Sequence, residues 1–89
     1  MNGRALLAWN LRRLRAERGV SQERLAADTG IDRAYVSEIE REQGNATVDV
    51  LDRIAILLGV EIAELFVVPP SGERPPQPLP KGRRPRTVP

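Results

Sequence analysis

The chain has 89 residues, with 14 Lys and Arg against 12 Asp and Glu for a net charge of +2, and it contains neither cysteine nor histidine. That composition removes disulfides, thiol nucleophiles, imidazole bases and the usual zinc ligand sets, so no enzymatic activity, cofactor or metal is expected. A chain this short makes one small domain that buries only about 60% of its unfolded surface. No apolar run approaches the roughly 18 residues that cross a bilayer, and the amino terminus lacks a secretory h-region, so the expected location is the cytoplasm.

The periodicity predicts a first helix over about residues 4–18, in which Leu7, Leu11 and Leu14 form one apolar stripe and Gly19 provides the stop. Ser21 is a good N-cap for a second helix, with Leu25 and Ala26 inward and Gly30 closing it. Asp32 caps a third, with Val36 and Ile39 inward. Thr47 caps a fourth, with Asp49 in its dipole-favoured first turn and Val48, Leu51, Ile54, Ala55 and Leu58 as its buried face. A last short element, EIAELF, brings Ile62, Leu65 and Phe66 to close the core, although Glu61 is a weak cap for it. The expectation is a compact all-α domain of five helices over residues 1–68.

All eight prolines follow Val68. Proline fixes φ and lacks a donor, so residues 69–89 are expected to form a disordered Pro/Arg-rich tail. Charge is also unevenly placed. Residues 1–24 carry six Arg against Glu17 and Glu23, residues 25–68 carry three Arg against nine acids, and residues 69–89 carry five bases against Glu73. Such polarity is compatible with a nucleic-acid partner without requiring one.

Within residues 22–41 the pattern tightens. Ala26 suits a steep helix crossing, Gly30 suits a turn with positive φ, and Val36 and Ile39 lock the next helix down. The segments RRLRAERGVSQERLAADTGIDRAYVSEIE and NATVDVLDRIAILLGVEIAELF resemble the Cro and phage-repressor type of helix-turn-helix, the XRE family, over about residues 6–66. DRAYVSEIER, Asn45 and Thr47 bring the chain closest in look to the controller proteins of restriction-modification systems. The resemblance implies a five-helix, lambda-repressor-like domain that binds double-stranded operator DNA, usually as a two-fold homodimer, and regulates transcription. Three positions depart from that pattern: Glu42 where glycine is common, Gly44 where a basic residue is common, and Ala46 where proline is common.

The candidate reading helix, GIDRAYVSEIERE, is rich in acids, and rotation by roughly 100° per residue sorts them. With Val36 inward, Glu40 points to the body and needs a partner; the resemblance supplies Arg15. Asp32 caps the helix. Arg33, Ala34, Ser37 and Glu38 are left as base-reading candidates: Arg33 for guanine, Ala34 for a thymine methyl and Glu38 for a cytosine amine. Phosphate contacts are expected from Gln22, Tyr35, Arg41 and Asn45, with a packing or capping role equally open for Tyr35. Arg12, Arg13 and Arg18 could add positive charge.

A monomer has a small footprint, so a dimer is expected on a near-palindromic site, through Ile62, Leu65, Val67 and Val68. Leu65 and Phe66 are alternatively core residues. Two other functions fit the same sequence: an antitoxin that also binds a toxin, and an interaction module of the same fold that does not bind DNA. The tail could lie along phosphates, bind a protein groove as polyproline II, or do neither.

Overall fold

Each α-helix begins on a short polar side chain that accepts a hydrogen bond from a first-turn amide, satisfying a donor the helix itself leaves open. The computed structural model describes residues 1–70. Helix α1 spans Gly3–Arg18 behind Asn2, α2 spans Gln22–Thr29 behind Ser21, α3 spans Arg33–Glu40 behind Asp32, and α4 spans Val48–Leu58 behind Thr47. The cap bonds run from 2.9 to 3.1 Å. Ser21, Asp32 and Thr47 are the expected caps; Asn2 was not anticipated.

The expected fifth helix is a 3-10 segment, Ile62–Phe66, so the fold has four α-helices and one 3-10 turn among the described residues. Glu61 makes no capping bond, and Val67 leaves in extended backbone after only five residues. A segment that short cannot offset the cost of starting an α-helix. The expected tail lies outside the described residues from position 71 onward. No described helix is long and apolar enough to cross a membrane.

Helix α3 is clasped from two sides, by α1 and by α2, while α2 also packs on α4 and the 3-10 segment closes against α1 and α4. Leu11, Leu14, Leu25, Val36, Ile39, Ile54, Leu58 and Leu65 meet in the centre of the core. Two expected core residues lie outside it. Val48 is exposed because helical side chains lean toward the amino terminus, which at the first position of α4 carries it off the end. Phe66 is also exposed. In a 3-10 turn residues three apart eclipse one another, so Ile62 and Leu65 share the inward side and Phe66 does not.

Asn10, among the leucines of α1, is fully buried. Its amide donates to the carbonyls of Leu6 and Val67, both at 2.9 Å, and its Oδ1 accepts from Arg13 at 3.0 Å. This fastens the end of the domain to α1. Arg13 also lies 5.6 Å from the ring centroid of Trp9, within cation–π range.

The buried ion pair expected from the resemblance is present. Nε and Nη2 of Arg15 donate to Oε2 and Oε1 of Glu40 at 2.5 and 2.6 Å, with the two residues 2% and 4% exposed. The remaining polar atoms are engaged as well. Arg15 Nη1 donates to the Val20 carbonyl at 2.9 Å, and Gln22 Nε2 donates to Glu40 Oε1 at 2.9 Å. One cluster thus joins α1, the α1–α2 turn, α2 and α3.

The helix ends divide three against one. After α1, α2 and α4 the chain turns through Gly19, Gly30 and Gly59 with positive φ, each followed by a branched apolar residue, Val20, Ile31 or Val60, that packs on the core. After α3 the left-handed position is Glu42, at φ +64, followed by Gln43. The bonds are those of a Schellman end, from the Gln43 amide to the Glu38 carbonyl and from the Glu42 amide to that of Ile39. The Schellman geometry is kept at this end of α3 although the usual glycine and apolar anchor are absent. Glu42→Gly is expected to stabilise the domain by about 0.5–1 kcal/mol, the relief of left-handed strain less the chain entropy of glycine, seen as a higher urea midpoint at unchanged slope.

Breaking the buried pair has the opposite outcome. Glu40→Ala leaves a guanidinium buried without its carboxylate and is expected to cost about 3–5 kcal/mol, whereas Arg15→Met combined with Glu40→Leu recovers much of that loss. Urea titration of both proteins checks this, and a near-neutral Glu40→Ala would show that the pair is not structural.

Candidate nucleic-acid interface

The cap at Asp32 and the pair at Glu40 hold the two ends of α3, and Val36 and Ile39 fasten its middle, so the opposite face is presented to solvent. Arg33, Ala34 and Glu38 are exposed on that face, with Ser37 half-buried beside them. The four base-reading candidates are therefore brought together. Glu38 forms no ion pair among the described residues, leaving its carboxylate free to accept from a base or to repel a phosphate.

The flanking residues are more constrained than the sequence suggested. Arg41 Nη1 donates to Ser37 Oγ at 2.5 Å, so these two side chains form one unit. Tyr35 packs against the core and donates its hydroxyl hydrogen to the Asn45 carbonyl at 3.2 Å, which braces the loop into α4. That hydrogen is the only one the phenol could offer to a phosphate, and in this structure the packing role prevails. Asn45 itself is exposed. Gln22 uses one amide hydrogen on Glu40 and retains a second, at the amino end of α2 where amides favour an anion.

Gly44 is buried against α3, and a Cβ there would stand 3.1 Å from the backbone nitrogen of Ile39. The close approach accounts for glycine at a position where the resemblance suggests a basic residue. Its carbonyl accepts from Arg4 Nε at 3.0 Å, tying the start of α1 to the same loop.

Sequence reasoning overlooked Asn10, the Gln22–Glu40 bond, the Arg4 contact and an ion pair between Arg33 and Glu23 at 3.2 Å. Asn10 had a readable signal, since a polar residue at i+3 from Leu7 and i−4 from Leu14 lies on the apolar stripe and must be satisfied there. The others join separate helices at separations that local periodicity does not encode.

At the expected dimer surface, Val67 and Val68 are 48% and 71% exposed and Ile62 is half-buried. Leu65 is fully buried within the chain's own core, so the alternative core role holds for it: the 3-10 turn directs it between α1 and α4.

Comparison with known proteins agrees with this geometry. A helix-turn-helix family profile, HTH_3, matches residues 11–65. A hypothetical transcription factor from Neisseria meningitidis is 42% identical over 66 residues, covering 74% of this chain and 62% of that protein, so the chain spans somewhat under two thirds of that relative. An HTH-type transcriptional regulator, y4dJ, from Sinorhizobium fredii is 41% identical over 75 residues, covering 84% and 95%. The crystal structure of the restriction-modification controller protein C.AhdI from Aeromonas hydrophila superposes with a TM-score of 0.68 at 40% identity, covering 71% of this chain and 96% of that one. With a matching family profile, relatives that are transcriptional regulators and an all-helical fold shared with a controller protein, the chain belongs to the helix-turn-helix (XRE-type) family of DNA-binding transcription regulators.

Proposed function

We propose that this protein is a sequence-specific transcriptional regulator that binds a near-palindromic operator as a homodimer. The observation that carries the reading is the rigid mounting of α3, held from behind by the Arg15–Glu40 pair while its Arg33, Ala34 and Glu38 face stays open. A helix fixed in this way can enter a major groove without first being ordered. Arg33, near its amino end, offers a planar fork to guanine O6 and N7; Ala34 meets a thymine methyl; Glu38 accepts from a cytosine amine; and Ser37 assists through its link to Arg41. Gln22, Arg41 and Asn45 hold phosphates, with Tyr35 positioning Asn45.

Glu38 and the acids around it set the balance of this interface. A carboxylate on the reading face lowers affinity for DNA in general, and it rewards only the site where a cytosine amine meets it. Discrimination is thereby gained at the expense of affinity. Two copies supply the missing contact area, and the exposed apolar end at Phe66, Val67 and Val68 supports their association there.

Selection from a random DNA pool is expected to return a near-palindrome whose half-sites lie about 34 Å apart. Arg33→Ala should relax the choice at one base pair per half-site, at a cost of about 1–3 kcal/mol. Arg41→Ala should instead weaken all sequences alike and make the dependence of log affinity on log salt shallower by about 0.9 per lost phosphate contact. Binding that is insensitive to salt, with no recovered consensus, would remove the reading in favour of a protein-interaction module.

A further inference from the structure

The ion pair between Arg33 and Glu23 links the two helices at the reading face. Arg33 Nε in the first turn of α3 lies 3.2 Å from Glu23 Oε2 in the first turn of α2, with side chains 47% and 55% exposed. Exposed pairs of this kind contribute little to folding. Neighbouring groups leave this pairing uncontested: Arg24 is bonded to Asp28 at 3.1 Å, Gln22 to Glu40 at 2.9 Å, and Asp32 to the amide of Ala34 at 3.1 Å. The carboxylate approaches at Nε, on one edge of the guanidinium. The edge formed by the two Nη groups has no protein partner among the described residues, and that edge can take guanine O6 and N7 together.

We propose that Glu23 is a positioning residue for Arg33, holding the guanidinium by its Nε edge so that the Nη edge faces a guanine in the major groove. The proposal rests on α3 being the reading helix. A long arginine side chain loses rotamer freedom when it binds, and a bracket that orders it beforehand lowers that cost for the matching base. The bracket also sharpens rejection. A guanidinium fixed in this orientation meets the N6 amine of adenine donor to donor, where a mobile one could swing aside. Glu23 has a second, opposing effect, because its charge stands next to Gln22 at the proposed phosphate contact and repels any duplex. Removing the carboxylate therefore has two separable consequences: tighter binding to DNA in general, and poorer discrimination at the one base pair that Arg33 reads.

The test uses the full chain and two duplexes: the selected consensus, and the same duplex with A·T at the base pair whose choice relaxes in Arg33→Ala. Glu23→Gln keeps the shape of the side chain and removes its charge. It is expected to narrow the affinity ratio between the duplexes by about two- to fivefold, the effect of losing one exposed ion pair. In an Arg33→Ala background the same substitution should leave that ratio unchanged. An unaltered ratio in Glu23→Gln, or equal narrowing in both backgrounds, would overturn the positioning role. Thermal midpoints near the wild type would show that folding is not the cause. Equal binding of both duplexes by the wild-type chain would instead overturn the reading of α3, and this proposal with it.

Discussion

The face that α3 turns to solvent depends on a charge pair that faces inward. Arg15 and Glu40 are almost wholly removed from water, and each would be costly there alone. They are tolerated because nothing in the cluster is left unsatisfied: the carboxylate accepts from two guanidinium nitrogens and from Gln22, and the guanidinium's third nitrogen reaches the Val20 carbonyl. The Val20 amide in turn donates to the Arg15 carbonyl. A core of leucines and valines could hold α3 at a similar distance with many small rotations. A two-toothed fork against a carboxylate permits few, and so fixes the azimuth of the helix as well as its depth.

That azimuth resolves the acidity of α3. Four carboxylates within a short helix and its flanks would repel a polyanion if all of them pointed outward. Asp32 is turned back onto the amide of Ala34, and Glu40 is turned into the core. Glu42 lies beyond the helix in the left-handed turn. Only Glu38 remains on the exposed face with Arg33 and Ala34. The same segment therefore has one chemistry by composition and another by surface, and the surface is what a partner meets.

The two ends of α3 are built differently. Its start has a capped amide and sits where α2 and α3 meet, near the Arg33–Glu23 bridge. Its end turns through a strained glutamate with no apolar anchor after it, and is steadied by the loop contacts of Arg4 with Gly44 and of Tyr35 with Asn45. The three other helices end on glycine followed by a buried or partly buried branched residue, a sturdier arrangement. The two ends are thus held by different means, a capped amide at the start, where base reading takes place in this class of domain, and the buried pair of Glu40 with loop contacts at the finish.

Most of the secondary structure was legible in the sequence. Ser21, Asp32 and Thr47 mark starts, Gly19 and Gly30 mark stops, and the leucine and isoleucine spacing marks buried faces, because caps and periodicity act over a single turn. The direction of Glu40 followed from its angle to Val36, and its partner from the family resemblance. Tertiary structure decided the rest. It turned EIAELF into a 3-10 segment, withdrew Leu65 from the surface, assigned the hydroxyl of Tyr35 to Asn45, and gave Arg33 a partner in Glu23. Those outcomes depend on which groups from distant parts of the chain arrive at hydrogen-bonding distance. That is set by how the helices cross, which no single-turn rule contains.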